Sequence, residues 1–463
     1  MNYLAYILRF VDARKQLKEW LITILAIGLV SMLAYRWTFY PESNLAPMII
    51  AIIVAGLTLW RPIIGLCIYL VAYPLVPASG SVDIIKTGIL ALTLLLLFIW
   101  WYQNIRAGFR PWLKPEYRWL FILFLFLCFS PLLGLKYSFS VMDWARDIAP
   151  MLNLLMIPVL AERLNNPRYR WLLYLVFLPI AAGLMRDILL LMAGYGLAEL
   201  GPLLFFPIRM STFHPGMVFG LGLVLFIQKA PRRWLWLAFS IMGAGVTFLT
   251  QTRTVWLSLA FMVGLLLVFF THHRRKAVML ILVILAFMGL LMFRGGGASS
   301  YGEKQSSRYQ QFLGYRADPS VKSRFDELYQ TTDLFKTSPI FGVGFGYQYH
   351  FWRHWVNAYK GAGYFDTNFT HNDITNIAAK GGLLGLFLFG MMLYGLLKQL
   401  GRRRDILKEP VEQAIAVVGI VAIYQSLFVG LSTPVYQTRE AIFLLSVIIA
   451  MGLGYKRVEE NER

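Results

Sequence analysis

Apolar runs of membrane-spanning length recur along this chain from residue 20 to residue 455. A run of about 20 such residues crosses a hydrocarbon core as a helix, because in lipid each backbone N–H and C=O must be satisfied within the segment. Spans are expected at 20–35, 45–60, 62–78, 84–102, 118–135, 146–161, 171–194, 216–228, 234–250, 255–271, 277–293, 373–397, 411–430 and 441–455. With the weaker stretches weighed, that is about 12–14 crossings. The 146–161 run carries Arg146, Asp147 and Pro150, and only Arg61-Pro62 separates 45–60 from 62–78. Hydrophobic residues make up 58% of the 463, which excludes a soluble multidomain protein. The expected fold is all-α and polytopic. It divides into a transmembrane bundle over 1–293, a large extracytoplasmic loop over 294–370, and a closing bundle over 371–463.

The net charge of +20 would suit a nucleic-acid partner if it were gathered on one face. Instead it is scattered among short loops: Arg14/Lys15/Lys18, Arg106/Arg110/Lys114/Arg118, Arg163/Arg168/Arg170, Lys229/Arg232/Arg233, Arg274/Arg275/Lys276, Arg402/Arg403/Arg404/Lys408 and Lys456-Arg457. These loops fall on one side if every span crosses. By the positive-inside rule that side is cytoplasmic, with both termini inside and no nucleic acid bound. The first charges resemble a signal n-region, but no small-residue cleavage site follows them. Cys67 and Cys128 lie within apolar runs and form neither a disulfide framework nor a metal set.

The opposite side then carries residues 195–215, the turn around Arg253, the segment 294–370 and the loop 431–440. Arg209, Arg253, Arg324 and Arg439 lie there, against the general charge bias. Arginines near span ends commonly snorkel to the interface, which is the simpler account of Arg324 and Arg439. Arg209 and Arg253 have polar surroundings that suit an anion, since a guanidinium fork pairs bidentately with phosphate. Within 294–370, Arg294-Gly295-Gly296-Gly297 reads as linker. Asp318-Pro319 has the form of a helix start. Val321, Phe325, Leu328, Thr332 and Phe335 follow at helical spacing, so 319–336 is expected to be an amphipathic helix on the outer membrane face. Thr337-Ser338-Pro339 ends it. Gly342-Val343-Gly344-Phe345-Gly346 then makes a turn where backbone can approach a ligand, with Gly344 at its centre.

That segment closes on Phe369-Thr370-His371-Asn372-Asp373, which runs straight into a span. Positions 372, 375, 376 and 379 form a stripe of period 3.6, headed by Asn372, Thr375 and Asn376. Such a stripe is expected to line a wet cavity or the bundle interior. His371 stands at the positive end of the helix dipole, which disfavours imidazolium. A neutral ring there can take a proton from an attacking hydroxyl. His214, His350 and His354, in aromatic-rich sequence, read as interfacial or structural. Converging arginines beside such a base would stabilise a departing diphosphate. No G-x-x-x-x-G-K-S/T loop, HExxH or Cys/His zinc pattern occurs, so no cofactor and no metal are expected.

In chain order, these elements resemble the O-antigen ligase and O-antigen polymerase superfamily. Arg209-Met-Ser-Thr-Phe-His-Pro-Gly is similar to its R-x-x-G-x-F-x-x-P-N element. Thr252-Arg253-Thr254-Val-Trp-Leu resembles S-R-T-x-W/G-L. Ser323-Arg324-Phe-Asp with Pro339-Ile340-Phe341-Gly342-Val343-Gly344-Phe345-Gly346 resembles R-x-x-x-W followed by h-P-h-h-G-h-G-x-G. His371-Asn372 with Gly382-Leu383-Leu384-Gly385-Leu386 resembles the H-N and x-G-x-x-G-L ending. The chain departs from the pattern at Lys380, where the family often has an acid, and at Thr212 and Gly216, where it often has Gly and Asn.

The resemblance implies a GT-C-like, metal-independent, inverting glycosyltransferase in a bacterial inner membrane. It would move glycan from undecaprenyl diphosphate to an acceptor, either lipid A core or a second lipid-linked glycan. It also leaves room for a chain-length regulator as partner. It assigns Arg209 and Arg253 to the donor diphosphate, His371 to the base, and Arg324 to a supporting contact. Asn372, Gly344 and Arg439 take supporting places. The rival class is a flippase of lipid-linked oligosaccharides, which would show repeated halves and broken helices near the midplane. No such halves are seen.

Overall fold

The computed structural model describes residues 45–75, 84–135, 137, 140–177, 179–181, 184, 214–249, 253–269, 278, 319–353 and 363–455. The expected spans at 20–35 and 277–293 lie outside these residues, apart from residue 278, and so does Arg209. The protein is an all-α polytopic membrane protein. Among the described residues, four helices are long and apolar enough to cross a membrane: Thr87–Arg106, Val141–Leu164, Asp373–Ile406 and Pro410–Gly430. Shorter apolar helices accompany them.

The chain forms two compact units. One comprises Met1–Phe109 with Trp171–Pro179. In it α1 (Leu45–Trp60), α2 (Pro62–Leu75) and α3 (Ile84–Arg106) pack on one another, and Pro62 opens α2 at the first helical position, where its missing N–H costs nothing. The other comprises Arg110–Arg170 with Ile180–Arg463. It holds α4 (Arg118–Gly134), α5 (Val141–Leu164), α6 (His214–Ile227), α7 (Arg233–Leu249), α8 (Arg253–Phe269) and α9 (Pro319–Thr337). A two-stranded antiparallel hairpin follows, β1 (Tyr349–Arg353) with β2 (Gly363–Thr367). Then come α10 (Asp373–Ile406), α11 (Pro410–Gly430) and α12 (Arg439–Gly454). α12 packs along α5 and α11, and α10 packs against α4, α9 and α11. Gly454 permits the α12–α5 approach, since a Cβ there would lie 2.1 Å from the Ala161 carbonyl oxygen.

Two expectations are corrected. The span foreseen at 146–161 begins at Val141, because the Ser140 side chain accepts from the Asp143 N–H and caps the helix one turn earlier. The hairpin was not foreseen at all. Its period-2 alternation, with Tyr349 and Phe351 buried and His350 and Trp352 exposed, is the mark of a half-buried strand. The helix expected at 319–336 is present as α9. It turns Ser323, Glu327 and Thr331 inward and leaves Phe325, Leu328 and Tyr329 exposed, as an interfacial helix does.

Further on, α10 breaks at Gly382, whose φ is 64° and ψ −164°, a conformation essentially restricted to glycine. An unbroken helix would join the Ala379 carbonyl to the Leu383 N–H and the Lys380 carbonyl to the Leu384 N–H. Here the strap of residues 339–344 inserts between them. Val343 and Gly344 donate to the carbonyls of Ala379 and Lys380 at 2.9 Å each, while Leu383 and Leu384 donate to Pro339 and Ile340 at 2.8 and 3.0 Å. All four groups freed by the break are thereby satisfied, which an apolar surrounding requires.

The glycines of the strap follow from this seating. A Cβ at Gly342 would meet the Lys380 carbonyl at 2.3 Å, and one at Gly344 would meet Gly134 at 2.7 Å. Gly382→Ala would press a methyl to 2.3 Å from the Ile340 oxygen. It is expected to lower the unfolding midpoint of the purified protein by the equivalent of about 1–3 kcal/mol. Gly390→Ala is the control, because a Cβ there meets nothing within 4 Å.

Candidate functional site

The site is assembled where α9, the chain leaving β2, the start of α10 and the loop between α11 and α12 come together. Asn372 is the N-cap of α10: its side chain accepts from the Thr375 N–H at 3.1 Å, and its Nδ2 donates to the Leu431 carbonyl at 3.1 Å. Asp373, buried, accepts from the N–H groups of Val435 and Tyr436 at 2.7 and 3.1 Å and from Gln437 Nε2 at 2.7 Å. Gln437 also accepts from the Thr370 N–H at 3.2 Å. Burial raises the Tyr436 phenol above its usual range. The loop 431–438 is thus clamped to the residues on either side of His371.

His371 itself is held from α9. Glu327 accepts the backbone N–H of His371 at 3.0 Å and lies 2.9 and 3.0 Å from its Nδ1. The carboxylate side chain is 4% exposed and the imidazole 32%. A carboxylate only accepts, so Nδ1 carries the proton shared with Glu327, and in that tautomer of the imidazole the lone pair is on Nε2. The carboxylate, and not the helix dipole alone, is therefore the nearest electrostatic influence on the ring. Phe369 lies edge-on to the imidazole, 6.1 Å between centroids.

Behind this pair lies a second one. Lys380 Nζ contacts Asp147 Oδ2 and the Asn368 carbonyl, with its side chain fully buried and that of Asp147 7% exposed. Asp147 also accepts from the Gly346 N–H at 2.8 Å and from Asn368 Nδ2 at 3.1 Å. One carboxylate on α5 thus fixes the turn that follows the strap, the chain leaving β2, and α10. Lys380 lies 5.1 Å from the centroid of the Tyr349 ring, whose hydroxyl donates to Asn376 Oδ1 at 2.9 Å. Burial, and next the charge of Asp147, hold the Tyr349 phenol well above its usual range, so it stays a donor. The stripe expected at 372, 375, 376 and 379 is polar only as far as Asn376. Ala379 packs with Tyr349 and Phe351, and the next ionisable group inward is Lys380.

The structure sets His371 and Asn372 together at the start of α10, and Arg324 precedes Glu327 by three residues on α9. Arg439 opens α12 two residues after Gln437 and pairs with Glu440 at 2.9 Å. Gly344 belongs to the strap. Arg253 is the first residue of α8. That helix packs on α11 through Phe261 stacked on Phe428, 4.4 Å between centroids, and Gln425 donating to Ser258. Glu327, Asp147 and Gln437 were not singled out from the sequence, although all three hold the site.

Residues 237–390 match the family model described as O-antigen ligase. The match takes in α8, α9, the strap, the hairpin and His371 with the broken start of α10. Over this segment the chain is similar to the O-antigen ligase/polymerase superfamily. An O-antigen ligase of this general kind joins or polymerises glycans, taking a lipid-linked glycan donor and an acceptor glycan. No curated protein matches the chain. Within the matched segment, Glu327 contacts His371 with a buried carboxylate, and Asp366 contacts His350 on the exposed surface.

Proposed function

We propose that the protein is a metal-independent glycosyltransferase of the outer face of a bacterial inner membrane, with both termini cytoplasmic. It moves glycan from undecaprenyl diphosphate to an acceptor glycan, either lipid A core or a second lipid-linked glycan. The observation that carries this reading is the double hold of Glu327 on His371, through ring Nδ1 and backbone N–H. That arrangement leaves Nε2 to remove the proton of an acceptor hydroxyl. As the hydroxyl oxygen bonds to the anomeric carbon, the bond from that carbon to the donor diphosphate breaks, and its electron pair leaves with the diphosphate. A single displacement of this kind inverts the anomeric centre. Arg209 and Arg253 are assigned to the charge that develops on the leaving group, with Arg324 supporting them.

The test is transfer from undecaprenyl-diphosphate oligosaccharide by purified protein in chelator, with both acceptors offered side by side. Glu327→Gln is expected to lower kcat by on the order of 10²–10⁴, because an amide cannot hold the ring in the same tautomer from both oxygens. The thermal midpoint should stay close to wild type. Undiminished transfer in that variant would remove the base assignment, and loss of transfer in chelator would restore a metal. Arg253→Lys is expected to cut kcat/KM by about tenfold or more, since a point charge does not replace a bidentate fork. Steady-state kinetics against donor concentration check it.

A further inference from the structure

We propose that the outward face of the β1–β2 hairpin is a carbohydrate platform that holds a sugar of the glycan served by the His371 site. The identity of its occupant rests on the function proposed above. The strand register pairs His350 with Asp366 and Trp352 with Tyr364. Side chains alternate along a strand, so these four share one face, while Tyr349, Phe351 and Thr367 share the buried one. On the outward face the His350 ring stacks on Tyr364, with centroids 4.5 Å apart and planes 8° apart. Trp352 meets Tyr364 edge-on at 5.1 Å. Tyr364 is 64% and Trp352 39% exposed.

Cross-strand aromatic pairs steady a hairpin, but that does not require leaving ring faces open to solvent. A pyranose offers a C–H face that lies on an aromatic ring and a rim of hydroxyls that donate to a carboxylate. The hairpin presents rings and the Asp366 carboxylate together. Lipid is a poor occupant, because the exposed His350–Asp366 pair sits on the same face and needs water.

The face is also close to the candidate site along the chain. β2 ends at Thr367, and only Asn368, Phe369 and Thr370 separate it from His371, with Asn368 anchored on Asp147. The seven-residue path from Tyr364 to His371 spans at most about 25 Å, within reach of a glycan a few sugars long whose end reacts at the histidine.

Saturation-transfer NMR with soluble probes tests this. The probes are lipid A core oligosaccharide freed of its acyl chains and a panel of neutral tetrasaccharides built on glucose, mannose, galactose and N-acetylglucosamine. The wild-type protein is expected to bind at least one probe. Tyr364→Ala and Trp352→Ala are expected to weaken that binding by about tenfold or more, whereas Tyr364→Phe, which keeps the ring, stays within about twofold. Thermal midpoints identify any variant that fails to fold. Absence of binding to every probe would overturn the platform, whatever the transfer activity. Binding unchanged in both alanine variants, or lost equally in Tyr364→Phe, would also overturn it. Ring-dependent binding without any transfer from the lipid-linked donor would refute the transferase and leave the platform standing.

Discussion

His371→Ala is expected to lower glycan transfer by about 10²–10⁴-fold, the usual contribution of a positioned general base. The expectation rests on what the substitution removes and what it leaves. The imidazole, a third exposed, takes with it Nε2, the nitrogen not engaged by Glu327. The backbone N–H of residue 371 still donates to Glu327, so the buried carboxylate keeps one of its partners. Asn372 still caps α10, and Asp373 still gathers Val435, Tyr436 and Gln437. The variant should therefore insert and melt much like the parent while failing to turn over. Single-turnover assays on radiolabelled donor separate the two properties. Transfer at the parental rate would mean that the proton leaves by another route.

The second large effect concerns stability. Lys380→Met should destabilise the protein by about 3–5 kcal/mol, because it strands the Asp147 carboxylate in the interior with no cation. The two remaining donors, the Gly346 N–H and Asn368 Nδ2, do not replace a charge. Adding Asp147→Leu to Lys380→Met is expected to recover part of the loss, since an apolar pair avoids the desolvation of both ions. Unfolding midpoints of the two single variants and the double variant in detergent form the cycle. A Lys380→Met protein that melts with the parent would contradict the burial seen here.

Much of the helical framework could be read from hydropathy, because crossing lipid restricts a chain to long apolar helices. α9 was also legible, from the spacing of Phe325 and Leu328 and the stop at Ser338-Pro339. The partners were not. Glu327 precedes His371 by 44 residues and Asp147 precedes Lys380 by 233, and no local pattern reports such pairings. One signal did exist: an acid in the run 146–161 and a lysine in the run 373–397 each demand an opposite charge nearby. The hairpin was hidden for a different reason. Its exposed aromatics resemble an interfacial belt in composition, and only the alternation along Tyr349–Arg353 separates the two. The glycines at 342, 344 and 346 were visible, but their use in seating the strap on α10 became apparent only from the break at Gly382.

That seating has a consequence for biogenesis. A translocon hands a plain apolar segment to the lipid as a finished helix. The stretch Asp373–Ile406 cannot be released in that finished state, since its ladder lacks two rungs until residues 339–344 dock into it. Those residues are synthesised earlier and must wait, unpaired, for a span that has not yet been made. Integration and folding are therefore coupled at this helix, and its geometry is completed after membrane entry by a segment from outside the helix itself.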